Sequence, residues 1–175
     1  MELPVINHPD YVAKINDDNK FPIRKFGALA KHLLENNVVK KFHIPKECSF
    51  ETLKTSHSTE YINHIKNKTL DIKAQKKIGF PINDSVVKRS YVATGGTVLA
   101  SKLALDSKLA CNTAGGSHHA TFDFGAGYCV FNDVAVAANY LKNKDYAKKI
   151  LIVDLDVHQG NGNSEIFKND KNVLT

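Results

Sequence analysis

The sequence predicts an α/β fold with three layers, in which a mostly parallel sheet lies between helices. Stretches with the apolar spacing of amphipathic helices alternate along the chain with short apolar runs typical of strands. Such continuous apolar runs are expected of parallel strands, because both faces of a parallel sheet are usually covered. The length of 175 residues fits one domain.

Three shorter helices follow from this spacing. They are predicted at residues 22–37, 58–68 and 132–144. The second has Ser58 or Thr59 as a candidate N-cap, and the third has Asn132 or Asp133. The first ends in asparagines, which suit a C-terminal cap.

The longest predicted helix covers residues 83–108 and begins after Asp84. It contains the pair Gly95-Gly96, which lowers the intrinsic stability of a helix. We therefore expect this helix to pack closely against a neighbouring element at the glycines.

Four apolar runs predict strands. They cover residues 38–44, 109–114, 148–157 and 172–175. Because a predicted helix separates the second run from the third, these two strands should be parallel, with ligands binding beyond their carboxyl ends. The fourth run resembles the first residues of a buried strand, and no turn or cap follows it. The sequence therefore looks truncated.

The composition argues against several classes of function. The net charge of +6 comes from scattered lysines without a dense basic tract, so we expect no direct nucleic-acid binding. The three cysteines, Cys48, Cys111 and Cys129, are too far apart to indicate a disulfide framework or a thiolate zinc site. With neither a signal peptide nor an apolar run near ~20 residues, the sequence predicts an intracellular, cytoplasmic protein without membrane contact. Its oligomeric state is left open.

The motif "DLDVHQGNG" at residues 154–162 directly follows a predicted strand. Side chains alternate along a strand, so Asp154, Asp156 and His158 point to one side, with neighbours ~6.6–7 Å apart. Carboxylate oxygens and imidazole nitrogens bind zinc at ~2.0–2.2 Å, which allows Asp156 and His158 to converge on one ion. This motif alone equally fits turn-capping carboxylates and a histidine that bonds a carbonyl group.

A second motif, "GGSHHATFDFGAGYCVFND" at residues 115–133, follows another predicted strand and should lie at the same edge of the sheet. The adjacent His118 and His119 are costly to pack, because each imidazole needs hydrogen-bond partners. A free imidazole titrates near ~6.5, which suits proton transfer at neutral pH. An ordinary surface loop is the alternative for this pair on its own.

Taken together, "GGSHHA", "GAGYCVFND" and "DLDVHQGNG" resemble the zinc-dependent histone deacetylase family, which includes bacterial acetoin-utilisation and acetylpolyamine amidohydrolase-like proteins. "GYCVFND" and "HQGNG" look most like its class IV branch. The resemblance covers the whole chain but only the first part of the family's domain. It implies a truncated arginase/deacetylase-like fold, with residues 1–175 as the N-terminal portion of a single catalytic domain.

The resemblance also implies roles for the motif residues. Asp156 and His158 would be zinc ligands. His119 would be the general base that takes a proton from water and returns it to the leaving amine. His118 would be its electrostatic partner near the substrate carbonyl.

Asp154 and Asn161 would orient the two imidazoles. Because Asn161 is neutral where some members have Asp, His119 should be less basic here. Gly127 would offer its carbonyl to the substrate amide, and Tyr128 would be an aromatic wall of the acyl-lysine tunnel. Cys129 is expected to be a buried packing residue. The family also binds a structural K⁺ through backbone carbonyls around the strand of Asp154.

Two family groups have no counterpart in residues 1–175: a later aspartate ligand and a later tyrosine that bonds the oxyanion. The resemblance therefore implies a deacetylase of acetyl-lysine proteins or small N-acetyl amines, although this polypeptide alone should be nearly inactive. A non-catalytic acyl-lysine-binding or complementing fragment is the alternative. An arginase-like binuclear hydrolase is disfavoured, because Gly160 stands where its D-x-H-x-D motif has a carboxylate.

Overall fold

The computed structural model describes residues 3–175. In chain order it contains four short strands, one 3₁₀ turn and seven helices. They are β1 (Val5–Ile6), the 3₁₀ turn (Pro9–Tyr11), α1 (Lys25–Glu35), α2 (Phe50–Leu53), α3 (Thr59–Asn67), α4 (Ile72–Ile78), α5 (Asp84–Ser107), β2 (Cys111–Asn112), α6 (Asp133–Asn143), β3 (Ile150–Leu151), α7 (Asn161–Phe167) and β4 (Val173–Leu174).

The strands pair in parallel, which agrees with the predicted fold class. β1 lies beside β2 and β3 lies beside β4. The strands are shorter than predicted. The run at residues 38–44 contributes only a bridge between His43 and Ile6. The run at 148–157 is a strand only at β3, because Ile152 donates the last backbone bond to Leu174 and the next residues meet no neighbouring strand within residues 3–175.

The four helices predicted from apolar spacing are present as α1, α3, α5 and α6. Ser58 caps α3 and Asn132 caps α6, each by accepting a backbone N–H with its side-chain oxygen. α5 begins at Asp84 rather than after it, because the Asn83 side chain accepts from the N–H of Val86 at 2.9 Å. The predicted asparagine cap of α1 is Asn36.

The short helices α2, α4 and α7 were not predicted. They have four, seven and seven residues, which is too few to establish an apolar period. Ser49 and Asp71 accept backbone N–H groups at the starts of α2 and α4. These two N-caps were the available signal for helix starts.

The glycine pair in α5 marks close packing, as predicted. A Cβ on Gly95 would overlap the carbonyl oxygen of Lys46. A Cβ on Gly96 would overlap the hydroxyl of Tyr11 and the amide of Asn112. The pair therefore brings α5 against three separate stretches of the chain.

α5 packs against α6 at the centre of the molecule. The main core includes Tyr11, Leu53, Ile62 and Val136, all fully buried. Cys48 and Cys129 are buried and Cys111 is exposed, and all three cysteines are free. Among the described helices, none is long and apolar enough to cross a membrane.

A second, smaller core lies beneath β3 and β4, where Ile150 and Ile152 pack against Ala135, Ala138, Phe167 and Val173. The alternate side chains of this segment face the opposite way and are exposed. They are Leu151, Val153, Leu155 and Val157. Within residues 3–175 the sheet is thus covered on one face here, although coverage of both faces was predicted.

Candidate active site

The loop after β2 and the segment after β3 lie side by side, so the two histidine-bearing motifs meet. His118 Nδ1 is 2.6 Å from Asp154 Oδ2, and His119 Nδ1 is 2.7 Å from Asn161 Oδ1. The centroids of the two imidazole rings are 4.1 Å apart. Each histidine therefore has its own polar partner at Nδ1, in the pairing that the family resemblance implies.

The electrostatics of the two pairs differ. The hydrogen bond from His118 is the main cause of a lowered pKa at the Asp154 carboxyl. The carboxylate can only accept, so the proton on His118 sits at Nδ1. At the other pair the partner is a neutral amide oxygen, which likewise fixes the proton on Nδ1 of His119 and leaves its Nε2 lone pair free.

Asp156 and His158 lie next to this pair of histidines. Asp156 Oδ1 accepts the backbone N–H of His158 and is 2.8 Å from His158 Nδ1. The backbone hydrogen bond is the main cause of the lowered pKa of the Asp156 carboxyl. Both side chains are accessible, at 52% and 72% exposure. The ring centroid of His158 is 6.0 Å from that of His119.

The donor set at Asp156 and His158 fits a metal ion. The carboxylate oxygen of Asp156 and the imidazole nitrogen of His158 lie 2.8 Å apart, and both are atom types that bind zinc. Within residues 3–175 there is no cluster of three or more His, Cys, Asp or Glu side chains that could hold a metal. The described residues therefore supply two candidate ligands, and a complete site needs at least one more.

Sequence reasoning gave His57 no functional role, and the structure places it beneath the histidine loop. Its Nδ1 is 2.9 Å from the carbonyl of Thr121, and its Nε2 accepts the backbone N–H of Asn132 at 2.9 Å. Burial lowers the pKa of His57 to about 4. The imidazole is therefore neutral, and its two hydrogen bonds connect the loop to the start of α6.

The first turn of α7 supports the loop from the opposite side. Gly162 N–H donates to the carbonyl of His118 at 2.8 Å, and a Cβ on Gly162 would overlap the carbonyls of His118 and Ala120. The amide of Asn132 donates to Ala120 O at 3.0 Å and to Asn163 Oδ1 at 2.8 Å. The glycines of "HQGNG" were the available signal for this close approach.

Gly127 and Tyr128 lie in a loop whose backbone is hydrogen-bonded to the end of α4. Gly127 N–H donates to Lys77 O at 3.1 Å, and Tyr128 N–H donates to Ile78 O at 2.6 Å. Gly127 has φ +52°, and a Cβ there would stand 2.5 Å from the His119 ring. The structure thus places the backbone of Gly127 next to the His119 ring.

Three residues that sequence reasoning missed form the wall behind Tyr128. The Tyr128 ring is 4.9 Å from Phe21 and 5.3 Å from Phe80, measured between centroids. Gly79, at φ +86°, leaves room for the ring, since a Cβ there would come within 2.7 Å of it. These contacts join distant segments, so no local pattern in the sequence indicated them.

Cys129 is buried, as predicted. Its Sγ donates to the carbonyl of Gly127 at 3.5 Å. Burial is the main cause that raises the pKa of its thiol to about 11. The thiol is therefore protonated at neutral pH and packs beside the site without being a nucleophile.

Parallel strands whose carboxyl ends carry a histidine pair and an Asp-x-His segment define the arginase/deacetylase class of α/β folds. The chain belongs to the histone deacetylase family, because the histone deacetylase domain of that family matches residues 20–175. The family resemblance read from the three motifs is therefore confirmed.

Curated relatives support this membership. An uncharacterized protein of Picosynechococcus sp. is 44% identical over 177 residues, covering 100% of this chain and 59% of the relative. Histone deacetylase 2 of Arabidopsis thaliana is 30% identical over 169 residues, covering 87% and 42%. The acetoin utilization protein AcuC of Staphylococcus aureus is 28% identical over 176 residues, covering 93% and 44%. The chain spans about half the length of these relatives.

Solved structures agree. A histone deacetylase homologue in complex with SAHA superposes with a TM-score of 0.85 at 27% identity, covering 99% of this chain and 50% of that one. A homologue from Aquifex aeolicus gives 0.84 at 28%, with the same coverage. The HDA15 HD domain, at 23% identity and a TM-score of 0.85, shows the shared fold.

Proposed function

We propose that the protein is a zinc-dependent deacetylase that hydrolyses the amide bond of acetyl-lysine in a protein, or of a related small N-acetyl amine. The observation that carries the proposal is the pair of histidines with separate Nδ1 partners, His118 with Asp154 and His119 with Asn161. Residues 1–175 would be the N-terminal portion of one catalytic domain, of the class IV type.

Asp156 and His158 would hold the zinc ion, together with an acidic ligand from a later part of the domain. When bound, zinc supplies Lewis acidity that polarises a carbonyl and lowers the pKa of water. A K⁺ ion near the carbonyls around Asp154 would have a structural role. The exposure of Asp156 and His158 supports this assignment, because a catalytic site must stay open to water and substrate.

His119 is the general base in this proposal. Its Nδ1 proton is held by the Asn161 oxygen, so Nε2 is free to accept a proton from the attacking water. The same nitrogen then donates that proton to the amine that leaves. Because Asn161 is neutral, it fixes the tautomer without adding negative charge behind the ring.

His118 is the electrostatic partner. The carboxylate of Asp154 accepts from its Nδ1 and places negative charge behind this imidazole. When protonated, an imidazole beside the reacting carbonyl would stabilise the negative charge that develops on the carbonyl oxygen. The different partners, carboxylate and amide, thus support different tasks for two neighbouring histidines.

The acyl chain would lie between Gly127 and Tyr128, with the Gly127 carbonyl accepting the substrate amide N–H. Tyr128 presents a hydroxyl where the family often has phenylalanine, which favours a polar acyl group. The aromatic wall of Phe21 and Phe80 behind Tyr128 supports a narrow tunnel.

Acetate release by the full-length protein, loaded with zinc, tests the proposal on an acetyl-lysine peptide and on an acetylated polyamine. The wild type should turn over at least one of them, and His119→Ala should lower kcat by ~10²–10⁴-fold, the usual contribution of a general base. His32→Ala, an exposed histidine of α1, is the matched control and should leave kcat unchanged. Full activity of His119→Ala would refute the assigned base.

We further propose that the 175-residue polypeptide alone is nearly inactive. Within residues 3–175 no cluster of three or more metal-binding side chains is present, and loss of one oxyanion donor typically costs ~10²–10³ in rate. Acetyl-lysine binding without turnover would agree with the acyl-lysine-binding alternative for this polypeptide. Turnover equal to that of the full-length protein would contradict the proposal.

A further inference from the structure

A buried carboxylate ties the loop of His118 and His119 to the protein interior. Asp133 Oδ1 accepts the backbone N–H of Ser117 at 2.7 Å, and Oδ2 accepts the N–H of Gly116 at 3.2 Å. Asp133 is the first residue of α6 and is 1% exposed. Its side chain therefore holds, by hydrogen bonds, the two residues immediately before the histidine pair.

The same carboxylate ends a partly buried series of side-chain hydrogen bonds. The Tyr11 hydroxyl donates to Asn112 Oδ1 at 2.9 Å, and the Asn112 amide donates to Thr97 Oγ1 at 3.0 Å. The Thr97 hydroxyl in turn donates to Asp133 Oδ2. We call these four residues, Tyr11, Asn112, Thr97 and Asp133, the Asp133 chain.

The direction of the donors is uniform along the Asp133 chain. An ionised carboxylate only accepts hydrogen bonds, so Thr97 has to donate to Asp133 and its own oxygen is left to accept from Asn112. Hydrogen bonds arranged in this way polarise one another inside a protein. The chain is therefore a single network whose far end is more than 100 residues from the histidine loop in sequence.

Two glycines make room for this network. A Cβ on Gly96 would overlap the Tyr11 hydroxyl, and a Cβ on Gly115 would overlap the Asp133 carboxylate. Gly115 also has φ +120°, a conformation that other residues rarely adopt. The glycines thus let the backbones of α5 and of the histidine loop lie close to the Asp133 chain.

The carboxylate depends on these donors. Asp133 forms no ion pair with a residue in 3–175, and burying a charge is costly unless hydrogen bonds satisfy it. Buried Arg89 contributes positive charge at longer range, and its Nε donates to the backbone carbonyl of Tyr11 at 3.1 Å. Loss of one donor would leave the carboxylate with too few hydrogen bonds. Its hydrogen bonds to the backbone of Gly116 and Ser117 would then change.

We propose that Asp133 is a positioning residue for the deacetylation described above, and that Thr97, Asn112 and Tyr11 act through it. The inference rests on the proposed function. By holding Gly116 and Ser117, Asp133 sets where the imidazoles start, so that both rings reach their Nδ1 partners. A misplacement of ~1 Å costs on the order of 10²-fold in rate, so a loop anchor has catalytic consequences.

The test uses Thr97→Val in the full-length protein, because valine keeps the shape and removes the hydroxyl. Hydrogen bonds to charged groups are among the stronger ones in proteins, so we expect kcat to fall about 10-fold or more, with KM within twofold. Amide hydrogen exchange at Gly116 and Ser117 should accelerate by a similar factor, while exchange in α3 stays unchanged. Thr97→Ser should restore both, and Thr59→Val, at an exposed position of α3, should change neither.

A second variant, Tyr11→Phe, keeps the test informative if Thr97→Val misfolds. It removes only the hydroxyl at the far end of the Asp133 chain. It should change kcat and loop exchange in the same direction by a smaller factor. Wild-type turnover together with unchanged kcat and loop exchange in both variants would overturn the inference and leave the deacetylase proposal standing. Absence of wild-type turnover would refute the deacetylase proposal instead, and loop exchange alone would then decide whether Asp133 anchors the loop.

Discussion

At the scale of single residues, His57 shows how burial fixes a protonation state. The imidazole donates on one side and accepts on the other, which only the neutral form can do. Burial is the largest cause of its low pKa, and the hydrogen bond to the Thr121 carbonyl opposes the shift. Protonation would turn the acceptor at Nε2 into a donor facing the Asn132 N–H.

This predicts a pH dependence of stability. The pKa of His57 is about 4 in the folded protein against an ordinary value of 6.5, so the unfolded chain binds more protons between these pH values. The stabilising contribution is therefore complete above pH 6.5 and is lost as the pH falls toward 4. From this shift, the loss is on the order of 3 kcal/mol.

Denaturant unfolding of the full-length protein between pH 7 and pH 4 measures this loss. His57→Gln is the matched variant, because its amide offers one donor and one acceptor without titrating. We expect the variant to have a clearly flatter dependence of unfolding free energy on pH. Equal slopes for the two proteins would show that His57 does not titrate as described.

The residues of the candidate site differ in how visible they were in the sequence. His118, His119, Asp154, Asp156, His158 and Asn161 stand in local motifs with unusual chemistry, and these motifs indicated a shared site. Asp133 and His57 were not singled out for function, since a carboxylate at a helix start and a lone histidine both have ordinary structural explanations. Only the distances in the folded chain reveal their contacts with the loop.

At the scale of elements, α4 and Gly79, which caps its C-terminus, determine the surroundings of the Tyr128 ring. Gly79 closes α4 in the left-handed region and stands against the Tyr128 ring. Tyr128 itself has φ +66°, which a non-glycine residue rarely adopts, so its position relies on the backbone bond to Ile78. The end of one short helix thus determines where the Tyr128 ring lies.

Gly79→Ala should therefore disturb the site. Alanine pays for the positive φ and drives its methyl group into the Tyr128 ring, so we expect a destabilisation of ~1–2 kcal/mol. We also expect a raised KM for acetyl-lysine peptide, because displacement of the Tyr128 ring would change the width of the proposed acyl-lysine tunnel. Thermal unfolding and steady-state kinetics of the full-length protein measure the two effects.

Gly27→Ala is the control, because Gly27 lies within α1 where alanine is the better helix former. Its Cβ would meet only a flexible methyl group of Val12. A Gly79→Ala protein with wild-type stability and KM would contradict the account of the tunnel wall.

Element prediction succeeded where several turns of helix repeat one apolar period. α1, α3, α5 and α6 are all nine residues or longer, and their caps are local. Strand lengths were overestimated because an apolar run indicates that side chains can be buried. It does not indicate which residues form backbone hydrogen bonds with a neighbouring strand. Residues 148–157 illustrate this, since only Ile150–Leu151 pairs with a neighbouring strand.

At the scale of the whole molecule, the segment after β3 presents apolar side chains to solvent beside the polar site. Leu155 and Val157 are 91% and 93% exposed, and Leu151 and Val153 continue the same row. Burying one such side chain contributes ~1.5–3 kcal/mol, so this face favours contact with other polypeptide. Exposed rows of this kind and unpaired strand edges promote association.

We therefore predict that the 175-residue polypeptide by itself self-associates at micromolar concentration. The double variant Leu155→Ser, Val157→Ser should reduce the association measured by sedimentation velocity. Ile72→Ser, which removes a 72% exposed apolar side chain from α4, should leave the association unchanged. A wild-type polypeptide that sediments as a monomer would show that this face does not drive contact.

We propose that the histidine pair and the Asp156–His158 segment form one zinc-dependent hydrolytic site. A zinc titration of the metal-free full-length protein, with the rate of acetyl-lysine peptide hydrolysis measured at each step, tests this proposal. We expect the rate to rise to saturation at one zinc per chain, and Asp156→Ala to lose both zinc binding and hydrolysis. Hydrolysis that is independent of zinc, or that survives in Asp156→Ala, would contradict the proposal.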